Sequence, residues 1–295
     1  VGKTVLRVVF DTNTFQPSEF DLLANGPLVH LCKTGRIRPV YGHVFLEELW
    51  RSYGNEEKRK HLIAKWIPFV IETVDRFCDD FITIWQRELV RGYGRKTNIF
   101  MKPRSQRNLL KNLRHIPADG SWRAWDLTRE ERSIEDEKRF AQYKQLKEIR
   151  KEIIEQSKSI GYSRRKHGEV LAFREFARGA IDYAGREFIM GYLQCSNPTA
   201  IANRWSRNIQ DYPYFTSFIE NMLYLGYYPG IRQNTKIDIN GQADLDLMTH
   251  LLAADVIVSN EQGFLRQAFI DIWKPRGKKL FTSQEFADFI KLIGT

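Results

Sequence analysis

The chain has 295 residues, of which 42% are hydrophobic and 13% aromatic, so it can build a packed core larger than one average domain needs. Its apolar segments, such as "WIPFVIETV" at 66–74, fall short of the roughly 18–20 residues that cross a bilayer, which excludes a membrane partner and leads us to expect a soluble, cytoplasmic protein. Cys32, Cys78 and Cys195 form no CxxC pair, which excludes a disulfide framework or thiolate zinc site, and a net charge of +10 favours polyanionic partners.

In chain order, residues 1 to about 70 alternate short apolar runs with helical patterns: "TVLRVVF", "SEFDLLANGPLVHLCKTG", "RPVYGH" and "VFLEELWRSYG". Ser18 is placed to cap the first helix, and Gly35 lies where that helix must end before the next strand. The N-terminal run is about five residues long, without the apolar core or cleavage site of a signal peptide. The last sixty residues repeat the grammar with "ADLDLMTHLLAA", "DVIVSN", "EQGFLRQAFIDIW", "KKLFTS" and "QEFADFIKLIG". Between them, residues 71–235 are dominated by long charged, helical segments such as 129–158, a solvated face with i,i+4 pairing. Neither end has enough strands for a sheet of its own. The expected fold class is α/β, a doubly wound parallel sheet formed by 1–70 and 236–295 and interrupted by a mainly α-helical, basic insertion at 71–235.

Open parallel sheets place their sites where the chain leaves the carboxyl ends of the strands. Asp11 stands at such an end in "LRVVFDTNTF", with Asn13 close behind, although a helix cap explains an Asp there as well as catalysis does. "DVIVSN" delivers Ser259, Asn260 and Glu261 to the same edge if the two strands are parallel. On a helix, Asp244, Leu247, Met248, Leu251 and Leu252 share one face, so Asp244 heads an apolar stripe and points inward. Asp246 is turned about 200° away and should face solvent beside His250. Glu47 and Glu48 both lie outside the stripe Leu46, Leu49, Trp50 and Tyr53, and periodicity does not choose between them. Carboxylates gathered at one edge, without a Ser, His or Cys constellation, need cations. Their hard oxygens suit Mg²⁺ or Mn²⁺, which acidify water and stabilise charge on a phosphoryl group.

With "VVFDTNTF", "VFLEEL", Asp244 ahead of "LLAADVIVSNEQGF", and the closing "FTSQEFADFI", the chain resembles the PIN-domain family over about 130 residues. The resemblance implies a PIN-like fold and a metal-dependent endoribonuclease that cleaves phosphodiester bonds in single-stranded or structured RNA. By position, Asp11 matches the family's first acid, Glu48 the second with Glu47 as understudy, and Asp244 the third. Ser259 and Asn260 match the small polar residues before the fourth, where this chain has Glu261 in place of the usual Asp. Asp11, Glu48, Asp244 and Glu261 are thereby the expected ligands of Mg²⁺ or Mn²⁺, with Asn13, Ser259 and Asn260 orienting them. Asp255 reads as structural. Family habit adds an antitoxin or regulatory protein as a further partner. The alternative is a catalytically silent PIN-like module that binds nucleic acid or a partner protein through its insertion.

The insertion supports contact with RNA or DNA. Arg91, Arg95, Lys96, Lys102, Arg104, Arg107 and Lys111 crowd a stretch with few acids, together with Tyr93 and Phe100, and Arg164, Arg165 and Lys166 form a second basic knot. Two other signals are set aside. "GKT" at 2–4 has no preceding strand or glycine to make a phosphate loop, and a dehalogenase-type phosphotransferase would need Asp at position 13.

Overall fold

A computed structural model describes residues 5–42, 45–46, 48–49, 56–91, 96–115, 173–193, 195–231 and 241–294, with isolated helical positions between 134 and 148. The elements run β1 (Leu6–Phe10), α1 (Pro17–Ala24), α2 (Leu28–Lys33), β2 (Ile37–Pro39), α3 (Glu56–Thr73), α4 (Phe81–Arg91), α5 (Pro103–Arg114), α6 (Phe173–Tyr192), α7 (Pro198–Arg207) and α8 (Pro213–Ile231). They continue with α9 (Gly241–Thr249), β3 (Val256–Val258), α10 (Phe264–Ala268), β4 (Lys279–Phe281) and α11 (Ser283–Gly294). No helix among the described residues is long and apolar enough to cross a membrane.

The chain divides into two compact units. The first comprises Val1–Ile84, Lys96–Trp122 and Asp246–Thr295; the second comprises Trp85–Arg95 and Arg123–Leu245. The expected insertion at 71–235 is therefore not one block, because 71–84 and 96–115 belong with the strands.

The first unit is α/β, built on a four-stranded, all-parallel sheet of order β2-β1-β3-β4. Val8 pairs with Pro39 on one side of β1 and with Val256 on the other. Val8, Val9 and Phe10 are buried, as are all three residues of β3, the continuous apolar pattern of strands covered on both faces. At the start of β3, Asp255 accepts from the Arg7 amide at 3.0 Å, the structural role expected of it. The chain moves from β1 outward to β2, and β3 returns on the opposite side of β1. The carboxyl ends of β1 and β3 thus flank the point where the winding reverses, the usual place for a ligand in such sheets.

Aromatic packing fixes the loop that leaves β1. Phe15 is fully buried and sits 5.1–6.5 Å, ring to ring, from Phe10, Phe20, Phe45, Trp66 and Phe69. The expected single helix over 18–33 is two helices, because Pro27 cannot donate to a continuing ladder and Asn25–Pro27 form a turn. Its start also differs. Pro17 occupies the first turn with Gln16 as N-cap, two positions ahead of the expected Ser18. Gly35 ends α2 with φ +70°, as a left-handed turn requires.

Beyond β2 the sheet edge is extended irregularly. Phe77 pairs in parallel with Tyr41, and Cys78 pairs antiparallel with Phe100. This brings α5 onto the first unit. The Gln106 side chain, buried on that helix, clamps the Phe77 backbone from both sides, accepting from its N–H at 2.9 Å and donating to its C=O at 2.7 Å.

The second unit is helical. Trp85 stacks on Phe218 and meets Phe188 and Phe215. Trp205 presses on Gly185, where a Cβ would come within 2.1 Å of its ring, so α6 and α7 approach as closely as glycine permits. A partly buried network of Asp182, Arg186, Asn203 and Ser206 ties the same two helices.

Candidate carboxylate site

Asp11 continues the β ladder by one bond, its N–H donating to Val258 C=O at 3.0 Å, and then the backbone turns. It is the N-cap of a single 3₁₀ turn, Thr12–Phe15. The capping role expected of this residue is present, since its side chain accepts from the Asn13 N–H of that turn. The turn is held by Thr14, which donates to Asp11 C=O through its N–H at 3.1 Å and its hydroxyl at 2.6 Å, and by the buried Phe15. The result is an Asp11 side chain only 5% exposed.

Its Oδ2 accepts two short hydrogen bonds, from Asn13 Nδ2 at 2.6 Å and from Ser259 Oγ at 2.6 Å. The loops after β1 and β3 are stitched by the same groups. Asn13 Nδ2 also donates to Ser259 Oγ at 3.1 Å, and Asn13 Oδ1 accepts from Asn260 N–H at 3.1 Å. The structure thus brings Asp11, Asn13, Ser259 and Asn260 together, as their positions at two adjacent strand ends lead one to expect.

Asn260 does more building than presenting. Its amide donates to Glu19 Oε2 at 3.1 Å and Ser283 Oγ at 2.8 Å, and accepts from Ser283 N–H at 2.9 Å. With both ends of the amide engaged, it braces the loop against α1 and α11. Glu19 enters the site's surroundings this way, a carboxylate that no periodicity singles out.

Glu48 reaches the site through Thr12. The Thr12 hydroxyl lies 3.3 Å from Glu48 Oε2 and 3.5 Å from Asp11 Oδ1, so one proton serves two carboxylates. Sequence reasoning gave Thr12 no role beyond fitting a turn, because nothing local indicates that a residue 36 positions away will stand across it. Glu47 lies outside the described residues.

Glu261 is joined to the cluster by its backbone, N–H to Ser259 Oγ at 3.1 Å, while its carboxylate folds back to accept from Leu265 N–H at 3.0 Å. That bond satisfies one of the free amides at the start of α10. Asp244 is buried, as its place at the head of the apolar stripe implies, in the first turn of α9. It belongs to the second unit, two residues before the boundary. His250 departs from expectation: it is 2% exposed rather than solvent-facing, because Gly42 leaves the room its ring fills. Burial drives its pKa down to about 4.

The electrostatics turn on Asp11. Burial raises its carboxyl above the ordinary 3.8, and hydrogen bonds from Ser259, Asn13 and Thr12 oppose that shift without cancelling it. Those donors are neutral. A buried carboxylate satisfied by hydrogen bonds, with no counter-charge among the described residues, suits a hard cation. Among the described residues, no three His, Cys, Asp or Glu side chains form a ready-made metal group. Two contacts account for part of this: Thr12 stands between Asp11 and Glu48, and the Glu261 carboxylate serves as a helix cap.

Of the expected nucleic-acid contacts, Lys96, Lys102, Arg104, Arg107 and Lys111 are exposed. Arg91 is not. Its side chain is 15% exposed and its guanidinium lies 3.8 Å from the buried Glu88, so it serves the interior of the second unit. Phe100 already carries the Arg76 guanidinium 4.1 Å over its ring, so one of its faces is closed to a base. Arg95, Arg164, Arg165 and Lys166 lie outside the described residues, as does Tyr93. In comparisons with known proteins, no family model matches the chain, and no curated protein or solved structure matches it.

Proposed function

We propose that the chain is a metal-dependent endoribonuclease with a PIN-like core, in which Asp11, Glu48, Asp244 and Glu261 hold Mg²⁺ or Mn²⁺. The observation that carries this reading is the buried Asp11 carboxylate at the reversal point of a parallel sheet, held among the described residues by neutral donors alone. A bound metal would supply positive charge at the scissile phosphate and acidify a water beside it. The chain's own groups do the positioning. Ser259 and Asn13 fix Oδ2 of Asp11, leaving Oδ1 with only the weaker 3.5 Å contacts. Thr12 holds Glu48 opposite, and Asn260 keeps the two loops in register.

The test is cleavage of single-stranded and hairpin RNA by the full chain in Mn²⁺, in EDTA, and with Asp11→Asn. Cleavage that needs Mn²⁺ and is lost in the variant supports the reading. Intact RNA and DNA under all conditions, or an equally active variant, refutes it. One contact favours the alternative of a silent PIN-like binding module, namely the Glu261 carboxylate engaged with Leu265 N–H. Calorimetry separates the two, since a silent module shows no Mn²⁺ binding that depends on Asp11.

A further inference from the structure

The segment 89–118 contains eight Lys and Arg residues and no Asp or Glu. Helix α5 concentrates half of them: at 100° per residue, Arg104, Arg107, Lys111 and Arg114 fall within an arc of about 80° along one side. All four are exposed, and none forms an ion pair with a described residue. The stripe spans about 15 Å of helix at 1.5 Å per residue.

This arrangement works against the helix that carries it. Arg104–Arg107, Arg107–Lys111 and Lys111–Arg114 are like-charge pairs at i,i+3 or i,i+4 spacing, each destabilising. The first turn has no acid to complement the helix dipole. A face selected for solubility alone would mix both signs, as the other exposed helices here do with Arg186–Asp182 and Lys291–Asp288. Uncompensated repulsion of this kind is relieved by an external polyanion.

The mounting is rigid and near the carboxylates. Gln106 and Leu113 bury the helix's other side, and the Gln106 clamp fixes it to Phe77. The β1–β2 register, continued two residues, sets Tyr41 opposite Phe10, whose rings stack. From there the pairings pass to Phe77 and on to Phe100, two residues before the N-cap Lys102. Three strand spacings separate that point from β1, about 15 Å.

We propose that the Arg104–Arg107–Lys111–Arg114 face of α5 is a docking rail for the phosphodiester backbone of a nucleic acid, gripping it without reading bases. The apolar side of this helix is buried in the protein, so it lacks the apolar face with which a helix enters a lipid surface. The rail does not depend on catalysis, because it engages a strand whether or not the carboxylates cut it.

The experiment is fluorescence anisotropy of the full chain in EDTA with labelled 20-mers of single-stranded RNA, single-stranded DNA and duplex DNA, between 50 and 200 mM salt. The proteins are the wild type, the triple variant Arg104→Gln, Arg107→Gln, Lys111→Gln, and Asp11→Asn. We expect the triple variant to bind at least tenfold more weakly and to lose about two units of the single-strand salt slope, at roughly 0.7 per phosphate contact. Its melting temperature should not fall, since repulsion is removed. Asp11→Asn should bind like the wild type, so loss of cleavage and loss of docking are separate results. Unchanged affinity and slope in the triple variant overturn the proposal. So does a wild type that binds anionic phosphatidylserine vesicles but none of the oligonucleotides.

Discussion

Ser259→Ala tests whether Asp11 is held as a charged group by its neighbours. The Ser259 hydroxyl makes three bonds, donating to Asp11 Oδ2 at 2.6 Å and accepting from Asn13 Nδ2 and Glu261 N–H, both at 3.1 Å. The first involves a carboxylate and is worth about 1.5–3 kcal/mol; the neutral two are worth about 0.5–1.5 kcal/mol each and overlap. We expect a loss of about 3 kcal/mol at pH 7, or about two decades of amide exchange protection in β1 and β3. Exchange measured by mass spectrometry on peptides covering 6–10 and 256–258 reports the first unit alone, which matters in a chain of two units. The charge-assisted part must also vanish when the charge is gone. In an Asp11→Asn background the same Ser259→Ala change should cost at least 1 kcal/mol less, the coupling of a double-mutant cycle between touching groups. A penalty under about 0.5 kcal/mol, or one of equal size in both backgrounds, would refute the view of Ser259 as the main support of a buried carboxylate.

Asp11 itself sets a pH dependence. Its folded pKa is raised, so its ionisation opposes folding as pH climbs through 3.8 toward the higher folded value, and Asp11→Asn in EDTA should melt higher than wild type at pH 7, with the gap closing near pH 3.8. A gap of the same size at both pH values would contradict this. His250 has the opposite sign, with a folded pKa depressed to about 4 from 6.5. Stability is therefore lost as pH falls through that window, by up to about 3 kcal/mol, and His250→Asn should flatten the urea-midpoint profile there. Gly42→Ala places a Cβ 2.3 Å from Nε2 of the buried His250, and should destabilise the first unit by about 1–3 kcal/mol in urea titrations; a neutral effect would show that the ring has room to move.

The order of strands and helices at both ends of the chain was legible because their apolar runs are short, regular and punctuated. β1 stops at a carboxylate, Gly35 closes α2, and "DVIVSN" ends in polar residues, each a local signal. The meeting of the loops after β1 and β3 followed from two strand ends alone. What could not be read depends on contacts distant in sequence. Thr12 acquires a partner in Glu48, and Glu19 is drawn in by Asn260, neither marked by any spacing. His250 looks like a surface residue by helical phase, and only a glycine 208 positions earlier makes its pocket. The attachment of α5 to the sheet rests on Gln106, a polar side chain that composition assigns to solvent and that the Phe77 backbone buries instead. Charge counting identified that segment as basic without showing which cations face outward, so Arg91 was grouped with residues it does not resemble.

Glu261 lies three residues before the first residue of α10, too far back for an ordinary N-cap, and its side chain still reaches Leu265 N–H at 3.0 Å. An aspartate there is one methylene shorter, so the same backbone would leave its carboxylate nearer the Ser259 loop. Gly263 accommodates the longer chain, since a Cβ at that position would stand 3.3 Å from Glu261 Oε1. The extra methylene thus carries one negative charge away from the Ser259 loop toward a helix start, where the dipole favours it. Asp11 stays buried beside the Ser259 loop. The two functional readings therefore divide at a single hydrogen bond. A metal that recruits Glu261 must either displace its bond to Leu265 or use the other carboxylate oxygen, whereas a module that only binds nucleic acid has no reason to disturb it.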